Sequence, residues 1–339
     1  MAQNMIDELF SGQYDELHFN LGSPVKGRRL GEWKNITDRP LMPSDWGSLT
    51  KKLLSTNEQI ELENLGYTKN LFDAKGISFV EGRFFQSQNS MSAHLKRMPY
   101  QVENTSLPEV LFEVIQRRRG LSLLSGVAGS GTTLLIHQIL AELDKKESIP
   151  VSVFSPRAFP VFPEKNLSIS YVQASTLKDL HKEIALSSEI IIFDYNDLSH
   201  LSFAVELADA GKGVVFTAHS SHLQSLLMNL YSFSSTQGEF YAYRLMAQMQ
   251  YLFHHQFLRT TSGGISIFES LLFSQELREL FLKSDVELIQ KAEKLNNLYA
   301  SRNQCLLQNL IRRKIDMKKA FELTHDPSNL DQLLKKVGI

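Results

Sequence analysis

The sequence predicts a doubly wound α/β core, preceded by a small α+β layer and followed by a helical region. Three observations carry that expectation. From Leu121 onward, apolar strand-like runs alternate with helical patterns, the signature of a parallel sheet covered on both faces. One of those runs, Ile190-Ile191-Ile192-Phe193, is continuously apolar, as a strand buried on both faces must be. Between the first strand and the first helix lies Gly126-Val127-Ala128-Gly129-Ser130-Gly131-Thr132-Thr133. Strand, glycine loop and helix in that order are the context of a phosphate-binding P-loop.

The chain of 339 residues is long enough for two ordinary domains. Hydrophobic content of 42% and charged content of 22% are those of a globular protein. The formal net charge of −1 gives no overall electrostatic case for nucleic acid or an anionic membrane. The basic runs Arg117-Arg118-Arg119 and Arg312-Arg313-Lys314 read as solvated faces or helix ends. One cysteine, Cys305, rules out an intrachain disulfide and a thiolate metal cluster. No apolar run reaches the roughly 18–20 residues that span a bilayer, so no transmembrane segment is expected. Met1 to Gly12 carries acids and no long apolar stretch, unlike a secretory signal. A cytoplasmic location is the simplest expectation.

Residues 1–104 read as the α+β layer. Glu16 to Leu21 alternates and stops at Gly22-Ser23-Pro24, a strand and a turn. Val25 to Leu30 is a second strand, leading to a hairpin-like step at Gly31-Glu32-Trp33. Ser44 is the expected N-cap of the next helix, and Asn57 to Leu65 is another, closed by Gly66. Three short alternating runs follow: Ile77 to Val80, Gly82 to Gln88 and Met91 to Met98. Residues 99–107 read as a linker. Ser106 and Glu109 then have capping-box spacing, with Pro108 in the first turn of a helix that runs to Arg119 and stops at Gly120.

Residues 105–272 read as the core. Its strands are expected at Leu121–Ser125, Val151–Ser155, Leu167–Val172, Glu189–Phe193 and Gly213–Thr217. Its helices are expected at Thr132–Leu143, Thr176–Leu186, His200–Ala210 and Ser221–Tyr231. A strand pair, Tyr251–Arg259 and Ile265–Phe268, is joined by Ser262-Gly263-Gly264. Residues 273–339 read as helical, with Leu306, Leu307 and Leu310 as core positions.

The order of these features resembles the secretion-type ATPases, and most closely the PilT-like type IV pilus retraction ATPases. Glu16 to Pro24 is similar to that family's opening D-L-H-L-x-x-G-x-P strand. Arg83-Phe84 and Ala93 to Pro99 resemble the closing strands of its N-terminal domain. Gly120 to Gly126, followed by Gly129-Ser130-Gly131, matches G-L-x-L-x-x-G-x-x-G-S-G. Phe216-Thr217-Ala218-His219-Ser220 resembles the His box, and Gly264 to Glu269 with Gln275 to Leu280 resembles the strand and helix after the core. The collinear order of these pieces, from Glu16 to Leu280, carries the resemblance.

The resemblance implies a P-loop NTPase core of RecA-like type, a PAS-like N-terminal domain and a helical C-terminal region. It implies ATP or ADP with Mg²⁺ at Gly126, Gly129, Ser130, Gly131, Thr132 and Thr133, with the Thr133 hydroxyl on the metal. Asp194 would stand for the Walker B acid, or Tyr195 if the alignment shifts by one. His219 would sense phosphate, and Arg83 and Arg97 would act on a neighbouring subunit's nucleotide. It further implies a homo-hexamer or a hetero-oligomer with an active paralogue, placed at an inner-membrane pilus or secretion platform.

The departures bear on chemistry. Thr132 stands where the Walker A lysine belongs. Val153-Phe154-Ser155-Pro156 stands where the family has I-E-D-P, so both acids are gone. The run His181 to Glu189 lacks the arginines that precede Walker B. A glycine loop still offers backbone N–H groups at a helix N-terminus. Losing the lysine removes a full charge from the β/γ-phosphates, at an expected cost of several kcal/mol in transition-state stabilisation. Lys178, Lys182 and Lys212 are candidates for supplying a cation instead, and Asp197 is a second candidate acid. His181, His254 and His255 read as structural. Three functional readings stay open: a ring-forming adaptor or regulator with weak or no hydrolysis, an active ATPase with a deviant loop, and a nucleotide-independent partner-binding module.

Overall fold

The computed structural model describes residues 6, 13–29, 32–74, 78–88, 90–99, 107–156, 165–174, 177, 179–260, 263–283, 288–295 and 298–338. They fall into two compact units, one up to Val102 and the other from Glu103 onward. Ser106, Lys178, Ser262, Gly31 and most of Met1 to Gly12 lie outside the described residues.

The first unit is a six-stranded sheet with two helices. Its strands are β1 (Glu16–Asn20), β2 (Pro24–Arg29), β3 (Glu32–Pro40), β4 (Tyr67–Ala74), β5 (Ser78–Gln86) and β6 (Met91–Pro99), in the order β3-β2-β1-β6-β5-β4. Every neighbouring pair is antiparallel. Period-two alternation sends Leu17, Phe19, Ala93 and Leu95 to one face. There they meet Trp46 and Leu49 of α1 (Pro43–Leu53) and Leu62 of α2 (Thr56–Leu65).

Four local expectations are corrected here. The N-cap of α1 is Met42, not Ser44, and the Asp45 carboxylate accepts the Met42 N–H at 3.0 Å. Residues 78–86 form one strand through Gly82, where two short runs were expected. A β-carbon at Gly82 would meet Asn70 Oδ1 at 2.4 Å, so the glycine lets β4 come close without breaking β5. β3 and β4 are the edges of the sheet. The helix before the phosphate loop, α3 (Glu109–Gln116), ends three residues earlier than expected, and Gly120 opens the next strand.

The second unit is built on an eight-stranded sheet. Its strands are β7 (Gly120–Gly126), β8 (Pro150–Ser155), β9 (Ser168–Gln173), β10 (Ile190–Phe193), β11 (Gly213–His219), β12 (Met249–Thr260), β13 (Gly263–Leu272) and β14 (Tyr299–Ala300). The order is β14-β13-β12-β7-β11-β10-β8-β9. The six strands from β12 to β9 are parallel, and β13 and β14 are antiparallel additions. All seven residues of β7 and all four of β10 are buried. The helices between the parallel strands are α4 (Thr132–Lys146), α5 (Asp179–Leu186) and α6 (Leu201–Asp209). α7 (Leu223–Gln237) and α8 (Glu239–Gln248) lead from β11 to β12. α8 was not expected, and α7 runs six residues past Tyr231.

Five helices follow: α9 (Gln275–Leu282), α10 (Leu288–Lys294), α11 (Arg302–Ile311), α12 (Met317–Leu323) and α13 (Pro327–Lys336). Leu306 is fully buried against Ile265 and Ile267 of β13, with Leu307 and Leu310 beside it. This unit is of the doubly wound α/β type that the sequence predicts.

At the centre, Phe193 is surrounded by rings. Its centroid is 5.4 Å from Phe154, 5.8 Å from Phe216 and 6.0 Å from Phe203. Replacing this fully buried ring leaves a cavity that close-packed neighbours cannot fill. Phe193→Ala is therefore expected to cost about 3–5 kcal/mol, read as a lower urea midpoint at unchanged slope.

Candidate functional site

The parallel register brings the chemically useful residues to one edge. Gly126 at the end of β7 pairs with His219 at the end of β11, and Phe193, one residue before Asp194, pairs with Phe216. Ligands of doubly wound sheets bind at this carboxyl edge.

The glycine loop leaves β7 at Gly126 and enters α4 at Gly131. Gly126 has no room for a side chain, because a β-carbon there would lie 2.1 Å from Ser130 Oγ and 2.5 Å from the His255 carbonyl oxygen. Gly131 is the N-cap of α4 at φ +92°, a conformation that disfavours any L side chain. The loop is pinned from outside by the Phe257 N–H, which donates to the Ser130 carbonyl at 2.7 Å. The Ser130 N–H donates to the Val127 carbonyl at 2.9 Å. The N–H groups of the first turn of α4 have no partner within the helix, as at any helix start.

Thr132 is buried, with its hydroxyl 3.1 Å from that of Ser130. Thr133 is different. Its Oγ1 donates to Asp194 Oδ2 at 3.1 Å. Asp194 is fully buried, and its Oδ1 accepts from Asn196 Nδ2 at 3.1 Å and from Thr217 Oγ1 at 3.4 Å. Asn196 has φ +64°, a left-handed conformation that asparagine tolerates better than most residues. The Asn196 N–H donates to Thr217 Oγ1 at 3.0 Å. A hydroxyl at the start of the loop helix against a carboxylate at the end of β10 is a fit for a hydrated divalent cation.

The alternative acid position is occupied otherwise. Tyr195 turns into the core and donates from its hydroxyl to the Ala174 carbonyl at 2.5 Å. Burial pushes its phenol up to about 12. Asp197 accepts the Ser199 N–H at 2.7 Å in a local turn. His219 is exposed, and its Nδ1 donates to the Gly126 carbonyl at 3.2 Å. The Ser220 N–H donates to the same oxygen at 3.2 Å.

The remaining candidates of the second unit do not join this group. Lys182 is ion-paired with Glu206. Lys212 precedes β11, whose first residue pairs with Gly120, so about 20 Å of strand separates it from the loop edge. Phe154 is fully buried against Phe193, and Ser155 is buried beside it. No acid stands there. Arg83 and Arg97 belong to the first unit, on β5 and β6. Arg83 donates from Nε and Nη2 to Glu81 Oε1 at 3.0 and 2.9 Å. Arg97 is partly buried, which lowers its guanidinium pKa.

Solved structures share the fold. The crystal structure of the pilus retraction motor PilT with bound ADP superposes with a TM-score of 0.77 at 20% identity, covering 97% of this chain and 98% of that one. This chain shares the fold of that structure. The ATPase DotB from Legionella pneumophila gives 0.72 at 18% identity, covering 95% and 94% of the two chains. DotB from Yersinia pseudotuberculosis gives 0.71 at 15%, covering 94% and 92%. No family model and no curated protein matches the sequence.

Sequence reasoning did not single out Thr217 and Asn196 as partners of Asp194. Neither carries charge, and only the hydrogen bonds reveal them. Nor did it find the link behind the loop: the His254 Nδ1 lies 3.2 Å from Ser125 Oγ and 3.3 Å from Ser220 Oγ. Burial, helped by the charge of Arg302, pulls His254 down to about 3. Burial alone pulls His255 to about 3 and His137 to about 4.

These three rings are neutral in the folded protein and gain protons on unfolding below the ordinary histidine value of ~6.5. Their effect is absent above that pH and erodes stability as pH falls toward 4 and then 3. Urea unfolding between pH 6.5 and 5 is expected to lose up to ~4 kcal/mol per pH unit, about a third of which disappears in His255→Gln.

Proposed function

We propose that this chain is a pilus or secretion motor subunit in which the phosphate loop survives as architecture while hydrolysis is weak or absent. It forms rings, alone or with an active paralogue, and acts as an adaptor or regulator of a type IV pilus, its twitching motility or a related secretion machine at an inner-membrane platform. Support comes from the likeness to PilT and DotB, together with the side chains around the loop. The observation that carries the reading is the paired replacement at the site: a buried threonine at the lysine position and the Phe154–Phe193 stack at the acid position.

ATP or ADP would be held by the N–H groups of Gly126 to Thr133, and Mg²⁺ by Thr133 and Asp194. When bound, the nucleotide supplies the phosphoanhydride and the metal the charge that polarises it. The chain's own part is to hold the phosphates by backbone dipoles and to orient the metal through the Thr133–Asp194 pair. Cation stabilisation and water orientation, the two further needs of phosphoryl transfer, have no matching residue at Thr132 and Phe154.

One observation favours a second reading, an active ATPase with a deviant loop: the Thr133–Asp194 contact is intact. Calorimetric titration and a turnover assay on one preparation separate the readings. Weak Mg²⁺-dependent ATP binding without turnover is expected. Turnover comparable with an intact motor, abolished by Asp194→Asn, would establish the active enzyme instead. No binding at millimolar ATP would leave a nucleotide-independent partner-binding module. Thr132→Lys is expected to tighten ATP binding by roughly tenfold or more, the gain of one charge-assisted contact, without restoring turnover.

A further inference from the structure

The charges of this chain nearly cancel overall but are unevenly placed. Residues 311–319 read Ile-Arg-Arg-Lys-Ile-Asp-Met-Lys-Lys, five cations and one acid. They form the end of α11, a tight turn and the start of α12. The turn is held in a defined shape. The N–H groups of Arg312, Arg313 and Lys314 donate to the carbonyls of Gln308, Leu310 and Asn309 at 3.0, 2.9 and 2.9 Å, and Arg313 sits at φ +55°. Ile315 and Ala320 anchor the segment to the core beneath.

Two features of its outer side point to a partner. First, Arg312, Arg313, Lys314 and Lys318 are exposed and pair with no carboxylate among the described residues. The acid within the segment, Asp316, is committed as the N-cap of α12, where it accepts the Lys319 N–H at 2.7 Å. Lys319 itself pairs with Glu322. Second, large apolar side chains protrude among the cations. Ile311 is 54% exposed, Met317 40% and Phe321 38%. Met317 and Phe321 are one helical turn apart, with Lys318 beside them.

We propose that this helix–turn–helix edge docks on an anionic lipid surface. Cations without partners meet lipid phosphates, while protruding apolar side chains enter the boundary between headgroups and acyl chains. A nucleic acid would reward the cations but not the exposed isoleucine and methionine. A helical peptide partner would seat its apolar side chains in a groove, whereas here the apolar side chains project. The proposal stands whether or not nucleotide is hydrolysed.

Co-sedimentation of the full chain with vesicles tests it. Vesicles of equimolar phosphatidylcholine and phosphatidylglycerol are expected to bind the protein, with affinity falling as salt rises; phosphatidylcholine alone is expected not to. Each cation lost should weaken binding roughly fivefold, the factor for one basic residue near an anionic surface. The combined variant Arg312→Gln, Arg313→Asn, Lys314→Gln, Lys318→Gln should then lose on the order of several hundredfold. Met317→Ser with Phe321→Ser should weaken binding while leaving the salt dependence in place. If the fourfold variant unfolds by circular dichroism, Lys314→Gln with Lys318→Gln, expected to lose about 25-fold, replaces it. Absence of binding to the anionic vesicles, or binding that either charge variant retains, would overturn the proposal. So would equal binding to poly-glutamate with no effect of the Met317 and Phe321 changes, which would mark a surface for acidic protein segments.

Discussion

Strand β11 lies between β7 and β10, hydrogen-bonded to both in a parallel register, and its far end decides where the second unit's polar groups meet. Parallel strands all point their carboxyl ends to one edge. The loop after β7 and the acid after β10 therefore emerge on the same side, with a full strand between them. Thr217 and His219 on that strand bridge the gap. Thr217 binds the Phe193 carbonyl and Asp194, and His219 binds the Gly126 carbonyl. The distance between loop and acid is set by one strand's width, about 4.8 Å per step, rather than by any flexible side chain. That is why Thr133 on the loop helix reaches Asp194 directly.

The same geometry explains which candidate residues came together. Lys212 is next to β11 in sequence but at its wrong end. Lys182 is on a helix face and pairs there. A cation has to arise at the carboxyl edge to reach the glycine loop, and Lys182 and Lys212 do not. Asp194, in contrast, sits at that edge by strand length alone, and its burial is matched by three hydrogen-bonding side chains.

Most of the fold was legible because the buried strands announce themselves. Ile190 to Phe193 and Leu121 to Ser125 are apolar at every or nearly every position, and only a strand covered on both faces has use for that. The edges of the first sheet were harder. β3 begins Glu-Trp-Lys-Asn with all four residues exposed, so no alternation marks it. The end of α7 was hidden because the polar run Ser234-Ser235-Thr236-Gln237 reads as loop, although the Thr236 hydroxyl simply bonds back to its own helix. At the site, the glycines were visible from spacing. Thr217 and Asn196 were not, since their value lies in neutral hydrogen bonds to a carboxylate far away in sequence.

The Phe154–Phe193 stack has a consequence for reversibility. A carboxylate introduced at position 154 would not find an empty catalytic position waiting for it. It would enter a buried position stacked on Phe193, whose ring centroid is 5.4 Å away, where an isolated charge is strongly disfavoured and the acid would rather stay protonated. Hydrogen-bonding partners and space would have to appear in the neighbouring strands at the same time. Aromatic packing at that position thus ties the sheet's stability to an uncharged side chain there: the ring that settles against Phe193 leaves no place for a carboxylate.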